Sequence, residues 1–136
     1  MLTGGCACGR IRYEAGGEPL FSVICHCRDC QRASGTGGVP VMGVTKAGFT
    51  VKGEPAQFAG TGGSGQPAIR HFCPACGSLL FGTPQSAPGM VTLYVGSLDD
   101  PHQFQPQQAI FTRDRPHWAR LATTLTEFPA LPARAQ

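Results

Sequence analysis

The chain has 136 residues, 41% hydrophobic and 14% charged, which suits one globular domain and leaves little room for two. Its 19 glycines and 12 prolines argue against a helical bundle or coiled coil, because both residues cost helix stability, and the hydrophobic share argues against disorder. The formal charge is +3 without any block of like charge, and no apolar run approaches the roughly 20 residues of a membrane span.

In chain order, the sequence predicts short strands separated by turns. Ile11 and Tyr13 alternate with Arg10, Arg12 and Glu14 as a half-buried strand that ends at Gly16-Gly17. Residues 20–25 form a second strand, which delivers a cysteine cluster. A short helix over 29–33 follows, stopped by Ser34-Gly35. The valine-rich 39–44 is a third strand, and 49–52 and 56–59 read as a hairpin around Gly53-Glu54-Pro55. Strands at 69–72, 79–81, 91–95 and 109–112 complete a mostly antiparallel β set. The domain is expected over 4–122, and the tail 123–136 is expected to fray or to lie on the surface. Gly60-Thr61-Gly62-Gly63-Ser64-Gly65 matches G-x-G-x-x-G, but Pro67 and a strand-like run follow where a dinucleotide site needs a helix. No acidic residue falls between Glu54 and Asp99, so this loop reads as a flexible turn.

A short chain this rich in turns needs a staple. Seven cysteines stand as Cys6-x-Cys8, Cys25-x-Cys27-x-x-Cys30 and Cys73-x-x-Cys76, an odd and closely spaced set that suits metal chelation better than disulfides. The start Met1–Gly5 has neither the basic nor the apolar segment of a secretory signal, and free thiols suit a reducing cytoplasm. Glycine follows the last cysteine of the first and third pairs, where it lets the chain turn back and point amides at sulfur. This marks Cys6, Cys8, Cys73 and Cys76 as one closed zinc site tying the N-terminus to the middle of the domain. Cys25, Cys27 and Cys30 remain. Three ligands and an open position define a catalytic zinc; a histidine (His71, His102 or His117) could instead close the site, or Cys27 and Cys30 could form a redox pair. His26, between two ligands, is poorly placed to join them. Cys30 falls in the first helical turn, where the dipole favours thiolate.

These segments resemble the glutathione-dependent formaldehyde-activating enzyme family, which also includes centromere protein V. The resemblance rests on Gly5-Cys6-x-Cys8-Gly9, on Cys25-His26-Cys27-x-x-Cys30-Gln31-Arg32-Ala33-Ser34-Gly35 and on Phe72-Cys73-x-x-Cys76-Gly77-Ser78. Gly96-Ser97-Leu98-Asp99-Asp100-Pro101 and Trp118 agree with it. It implies a β-tent fold, a structural zinc on Cys6, Cys8, Cys73 and Cys76, and a second zinc on Cys25, Cys27 and Cys30. It also implies a carbon–sulfur lyase that joins glutathione to formaldehyde as S-hydroxymethylglutathione.

A zinc with three thiolates carries a formal charge of −1 and is a poor electrophile. It is better suited to hold a substrate thiol as thiolate beside a small aldehyde. Arg28 and Arg32 flank this site and are the candidates to hold the carboxylates of a glutathione-like ligand. Arg70, Arg113 and Arg115 read as solvated, Asp99-Asp100-Pro101 as a turn, and His117-Trp118 as surface packing. The rival functions are a binding module whose zincs only hold the scaffold, and a thiol redox protein. The 11 basic residues are scattered, which gives no footing for nucleic acid. Seven thiolates with two divalent ions would bring the formal +3 to zero, so the positive balance offsets the metal sites rather than calling for an acidic partner.

Overall fold

Period-two alternation of buried and exposed residues builds two sheets from ten short strands. The computed structural model describes residues 1–120, 128 and 129, so the 123–136 tail otherwise lies outside the described residues. The elements are β1 (Leu2–Gly5), β2 (Arg12–Ala15), β3 (Phe21–Cys25), α1 (Arg28–Ser34), β4 (Val39–Thr45), β5 (Phe49–Lys52), β6 (Ala56–Thr61), β7 (Pro67–Phe72), β8 (Leu79–Pro84), β9 (Met90–Tyr94) and β10 (Gln108–Ile110). One sheet has the order β1-β2-β5; the other runs β10-β3-β4-β9-β8-β7-β6. All ladders are antiparallel except β10 with β3, which is parallel, in keeping with the mostly antiparallel set expected. The protein is mainly β, with one α-helix among the described residues and both sheets open.

The register assigns the two faces of the larger sheet. Met42, Leu93, Phe81 and His71 lie in one cross-strand row, and Val44 and Val91 in another. This face packs on Leu2, Ile11, Tyr13 and Ala15 of the smaller sheet and its approach, and forms the main core. Phe81 stacks on His71 at 4.3 Å and meets Phe49 edge-on at 4.8 Å. On the opposite face, one row runs Phe21, Gly43, Thr92, Gly82, Arg70 and Phe58 across six strands. The next rows hold Val23, Val41 and Tyr94, then Cys25, Val39 and Ile110, which form a second apolar cluster.

One sequence expectation fails here. Residues 49–52 and 56–59 do not form a hairpin: β5 pairs with β2, and β6 pairs with β7. The intervening Gly53 has φ +94°, and a Cβ there would lie 2.5 Å from the Arg10 carbonyl oxygen, so the chain crosses between sheets at this point instead of turning back. Phe49 and Val51 are drawn to the main core, a tertiary demand that local turn chemistry does not reveal. Strand β1 lies where the sequence predicts no element. Gly4 serves close approach: a Cβ there would lie 2.4 Å from both the Tyr13 hydroxyl and the Ser97 carbonyl oxygen. That clearance lets buried Tyr13 hydrogen-bond the Ser97 hydroxyl at 2.7 Å. Gly4→Ala should therefore cost about 1–3 kcal/mol of stability, while Gly96→Ala, which meets nothing within 4 Å, should be neutral; urea denaturation of both variants checks this pair.

Candidate functional site

The seven thiols are all free and gather into two clusters, Cys6–Cys8–Cys73–Cys76 and Cys25–Cys27–Cys30. Within each cluster the sulfurs lie within 4.8 Å of one another. Local backbone builds the first. Gly9 (φ +80°) and Gly77 (φ +76°) turn the chain back after each pair, donating to the Cys6 and Cys73 carbonyls at 3.1 and 2.8 Å. The Ile11 amide donates to Cys6 Sγ at 3.3 Å. Ser78 links the two knuckles, its hydroxyl accepting from the Ala7 amide at 3.0 Å and lying 3.2 Å from Cys76 Sγ. That contact draws the Cys76 thiol down to about 5. The Cys6–Cys8 and Cys8–Cys73 sulfur separations are 3.5 and 3.7 Å. A tetrahedron with Zn–S bonds of about 2.3 Å has edges of about 3.8 Å, so this donor set fits zinc.

The second cluster is built by a strand end and a helix start. Cys25 ends β3, and Cys27 is the N-cap of α1, its Sγ accepting the Cys30 amide at 3.3 Å. The helix is fixed by Gln31, whose side-chain amide donates to the His26 and Asp114 carbonyls at 2.8 and 3.0 Å. It closes at Gly35 (φ +70°), which donates to the Gln31 carbonyl at 2.8 Å. Cys30 stands in the first turn of the helix, as its position in the sequence predicts. Hydrogen bonds from the Cys25 and Cys30 thiols pull Cys27 down to about 2, while the same bond to Cys27 raises Cys25 to about 11. Cys30 is pushed up by Cys25 and Cys27 together. The three thiols thus compete, and ionising one raises the cost of ionising the others.

No histidine joins this triad among the described residues. His26 Nδ1 is 2.9 Å from the Gly37 carbonyl oxygen, His71 belongs to the opposite face of the sheet, and His102 and His117 are exposed. On its free side the triad borders a cavity of about 120 Å³, walled by the β6–β7 turn, Arg70, Thr92, Tyr94 and Phe111. Phe111 holds a left-handed backbone (φ 52°), a conformation that costs a non-glycine residue about 1–3 kcal/mol. A separate cavity of about 680 Å³ lies between the Cys6 knuckle, the end of α1 and residues 94–99. Its charged groups, Arg12 and Asp99, already form a two-pronged ion pair, so the smaller cavity holds the available chemistry.

The remaining sequence candidates scatter. Arg28 and Arg32 are exposed and line neither cavity; Arg28 donates to the Gln31 side-chain oxygen at 2.5 Å. Asp99 binds Arg12 and Thr3, and Asp100 accepts the His102 amide at 3.0 Å, which makes this segment a capped turn. Trp118 lies over Gly37, half exposed. Two features of the site were not expected. The glycine motif is the β6–β7 turn, with the Gly62 amide donating to the Gln66 carbonyl at 2.8 Å, but it is a wall of the triad cavity rather than a free loop. A Cβ at Gly63 would lie 2.5 Å from Cys27 Cβ. Arg70, expected in solvent, stands on the triad's face of the sheet and binds Asp29 of α1 at 2.5 Å. The alternation of Ile69, Arg70 and His71 carries the signal, since one of the two polar residues must point toward each face.

The fold and these clusters define a mainly β protein with a four-cysteine and a three-cysteine site, each able to hold a metal ion and compatible with zinc. The model of the glutathione-dependent formaldehyde-activating enzyme family matches residues 1–114, and the chain belongs to that family. A Halomonas elongata protein provisionally named as a glutathione-dependent formaldehyde-activating enzyme is 24% identical over 128 residues, covering 89% of this chain and 81% of the relative. The crystal structure of a Rhodobacter sphaeroides protein superposes with a TM-score of 0.59 at 21% identity, covering 79% of this chain and 98% of that one, and shares the fold.

Gly63→Val tests the packing of the turn on the triad. The added side chain must displace Cys27, so the variant should lose metal from the three-cysteine site and keep it at the four-cysteine site. Elemental analysis showing the same metal content as the parent protein would contradict this packing.

Proposed function

We propose that this chain is a zinc-dependent carbon–sulfur lyase that joins a small thiol, glutathione or a relative of it, to a small aldehyde such as formaldehyde, and cleaves the adduct in reverse. The observation that carries the reading is the three-cysteine cluster without a histidine, its free side against a small cavity. Family membership supports glutathione and formaldehyde as the reactant classes. In this reading Cys6, Cys8, Cys73 and Cys76 hold a structural zinc, and Cys25, Cys27 and Cys30 hold a second one. Zinc at the second site would lower the pKa of a fourth, incoming thiol so that it is present as thiolate at neutral pH.

The residues of the chain do the rest. The Cys30 amide holds Cys27 as a ligand, and Gln31 fixes the helix start that carries Cys27 and Cys30. The β6–β7 turn and Phe111 limit the space beside the cysteines, which suits an aldehyde of few atoms and keeps bulk water from the reacting carbon. Arg28 and Arg32, exposed on α1, are available to the carboxylates of a glutathione-like ligand outside the cavity. Unpaired thiols and a cysteine-rich metal set suit a reducing compartment such as the cytoplasm.

Zinc content and adduct formation test the proposal together. The protein should carry two zinc ions per chain and speed the exchange between glutathione, formaldehyde and S-hydroxymethylglutathione above its spontaneous rate, as read by NMR. Cys27→Ser should retain one zinc and a parent-like circular dichroism spectrum but no acceleration. A Cys27→Ser variant that keeps both its second metal and its turnover would contradict the mechanism, and a parent protein with two zincs that ignores glutathione would favour a scaffold-only role.

A further inference from the structure

The thiol–aldehyde reading assigns no group to the aldehyde oxygen, and the wall of the triad cavity offers one. Arg70 belongs to β7, and the cross-strand row that runs from it through Gly82 to Thr92 places it on the face that carries Cys25. Its side chain is 16% exposed, and Nη2 donates to the Asp29 carboxylate at 2.5 Å, next to Cys30 in α1. Its Nε is buried and has no hydrogen-bond partner among the described residues. A guanidinium carries five N–H donors and the ion pair with Asp29 uses one of them, so this residue of the cavity wall has donors left for an oxygen atom.

The surroundings agree with a small guest. Gly82 stands between Arg70 and Thr92 in the row. A Cβ there would lie 2.7 Å from the Thr92 hydroxyl and 3.7 Å from the Tyr94 hydroxyl, so glycine keeps the cavity floor open. At about 120 Å³ the cavity is well below the roughly 300–1,000 Å³ of sites that take whole drug-sized ligands. It suits the reacting carbon and oxygen rather than the body of a tripeptide.

We propose that Arg70 is a catalytic residue for the reaction proposed above, its guanidinium donating to the aldehyde oxygen as the carbon–sulfur bond forms; this rests on the thiol–aldehyde reading. The thiolate sulfur supplies the electron pair of the new bond to carbon, and the C=O π pair moves onto oxygen. That oxygen then takes up one proton from solvent, equal to the one the thiol released, so atoms and charge balance without another reactant. A fixed guanidinium donor in a cavity screened from water stabilises the charge that grows on oxygen, and loss of one such donor typically lowers kcat by 10²–10³.

Arg70 also ties β7 to α1 through Asp29, so the test must separate a donor from a tether. Arg70→Met and Arg70→Lys are compared with the parent protein by zinc per chain, glutathione affinity by calorimetry, and kcat and KM for formaldehyde. Both variants should keep two zincs and bind glutathione within about twofold of the parent, whereas kcat should fall about 100-fold in Arg70→Met and less in Arg70→Lys, which keeps the charge. If Arg70→Met turns over at the parental rate, or loses activity together with its second zinc or its glutathione binding, Arg70 is not the donor. A parent protein that binds no glutathione and forms no adduct overturns the underlying reading, and the role of Arg70 with it.

Discussion

Sulfurs gathered within 4.8 Å of one another cannot all ionise without strong repulsion, and that is the constraint on which the structure depends. Two unit charges 4 Å apart interact by about 4 kcal/mol at the effective dielectric of a protein surface. Three or four thiolates in one cluster therefore oppose folding unless a cation stands among them. In the triad the conflict shows as opposed shifts, Cys27 drawn down while Cys25 and Cys30 are pushed up. A divalent ion would remove the conflict and turn each cluster into a cross-link. The four-cysteine site then joins the segment between β1 and β2 to the one between β7 and β8, one from each sheet. In a chain with so much glycine and proline, that link adds to what the two small apolar clusters supply.

The larger sheet divides its labour between its faces. One face is covered by the small sheet and carries the main core, including Leu80 and Leu93, which are fully buried. The other face keeps polar residues, Thr92, Tyr94 and Arg70, over which the helix start and the β6–β7 turn place the triad. Rigid strands thus supply the cavity floor, and the end of β3 with the start of α1 supplies sulfur. Gln31 and the Asp29–Arg70 ion pair tie those segments to the scaffold, which fixes the sulfurs without glycine knuckles.

Much of this is legible in the sequence, for local reasons. Cysteine spacing and the glycines after Cys8 and Cys76 are short-range features, and a positive φ at Gly9 and Gly77 is what a chain reversal needs. Strand positions follow from alternation, and the helix from its stop at Ser34-Gly35. What local reading misses is long-range. Which sheet β5 joins is decided by the burial of Phe49 and Val51, not by Gly53-Glu54-Pro55. The parallel pairing of β10 depends on a connection of more than eighty residues from β3. Arg70 resembles any surface arginine until the register sets it beside Gly82 and Thr92. The glycine-rich turn looks unemployed until it is seen against Cys27.

The central claim is that the triad is an open metal site that accepts a thiol, and sulfur coordination tests it directly. X-ray absorption at the zinc edge of the loaded protein should give an average of 3.5 sulfurs per zinc, because seven cysteines serve two ions. Saturation with glutathione should raise that average to 4 as one external sulfur joins the triad. An average that stays at 3.5 with glutathione in excess would contradict the account.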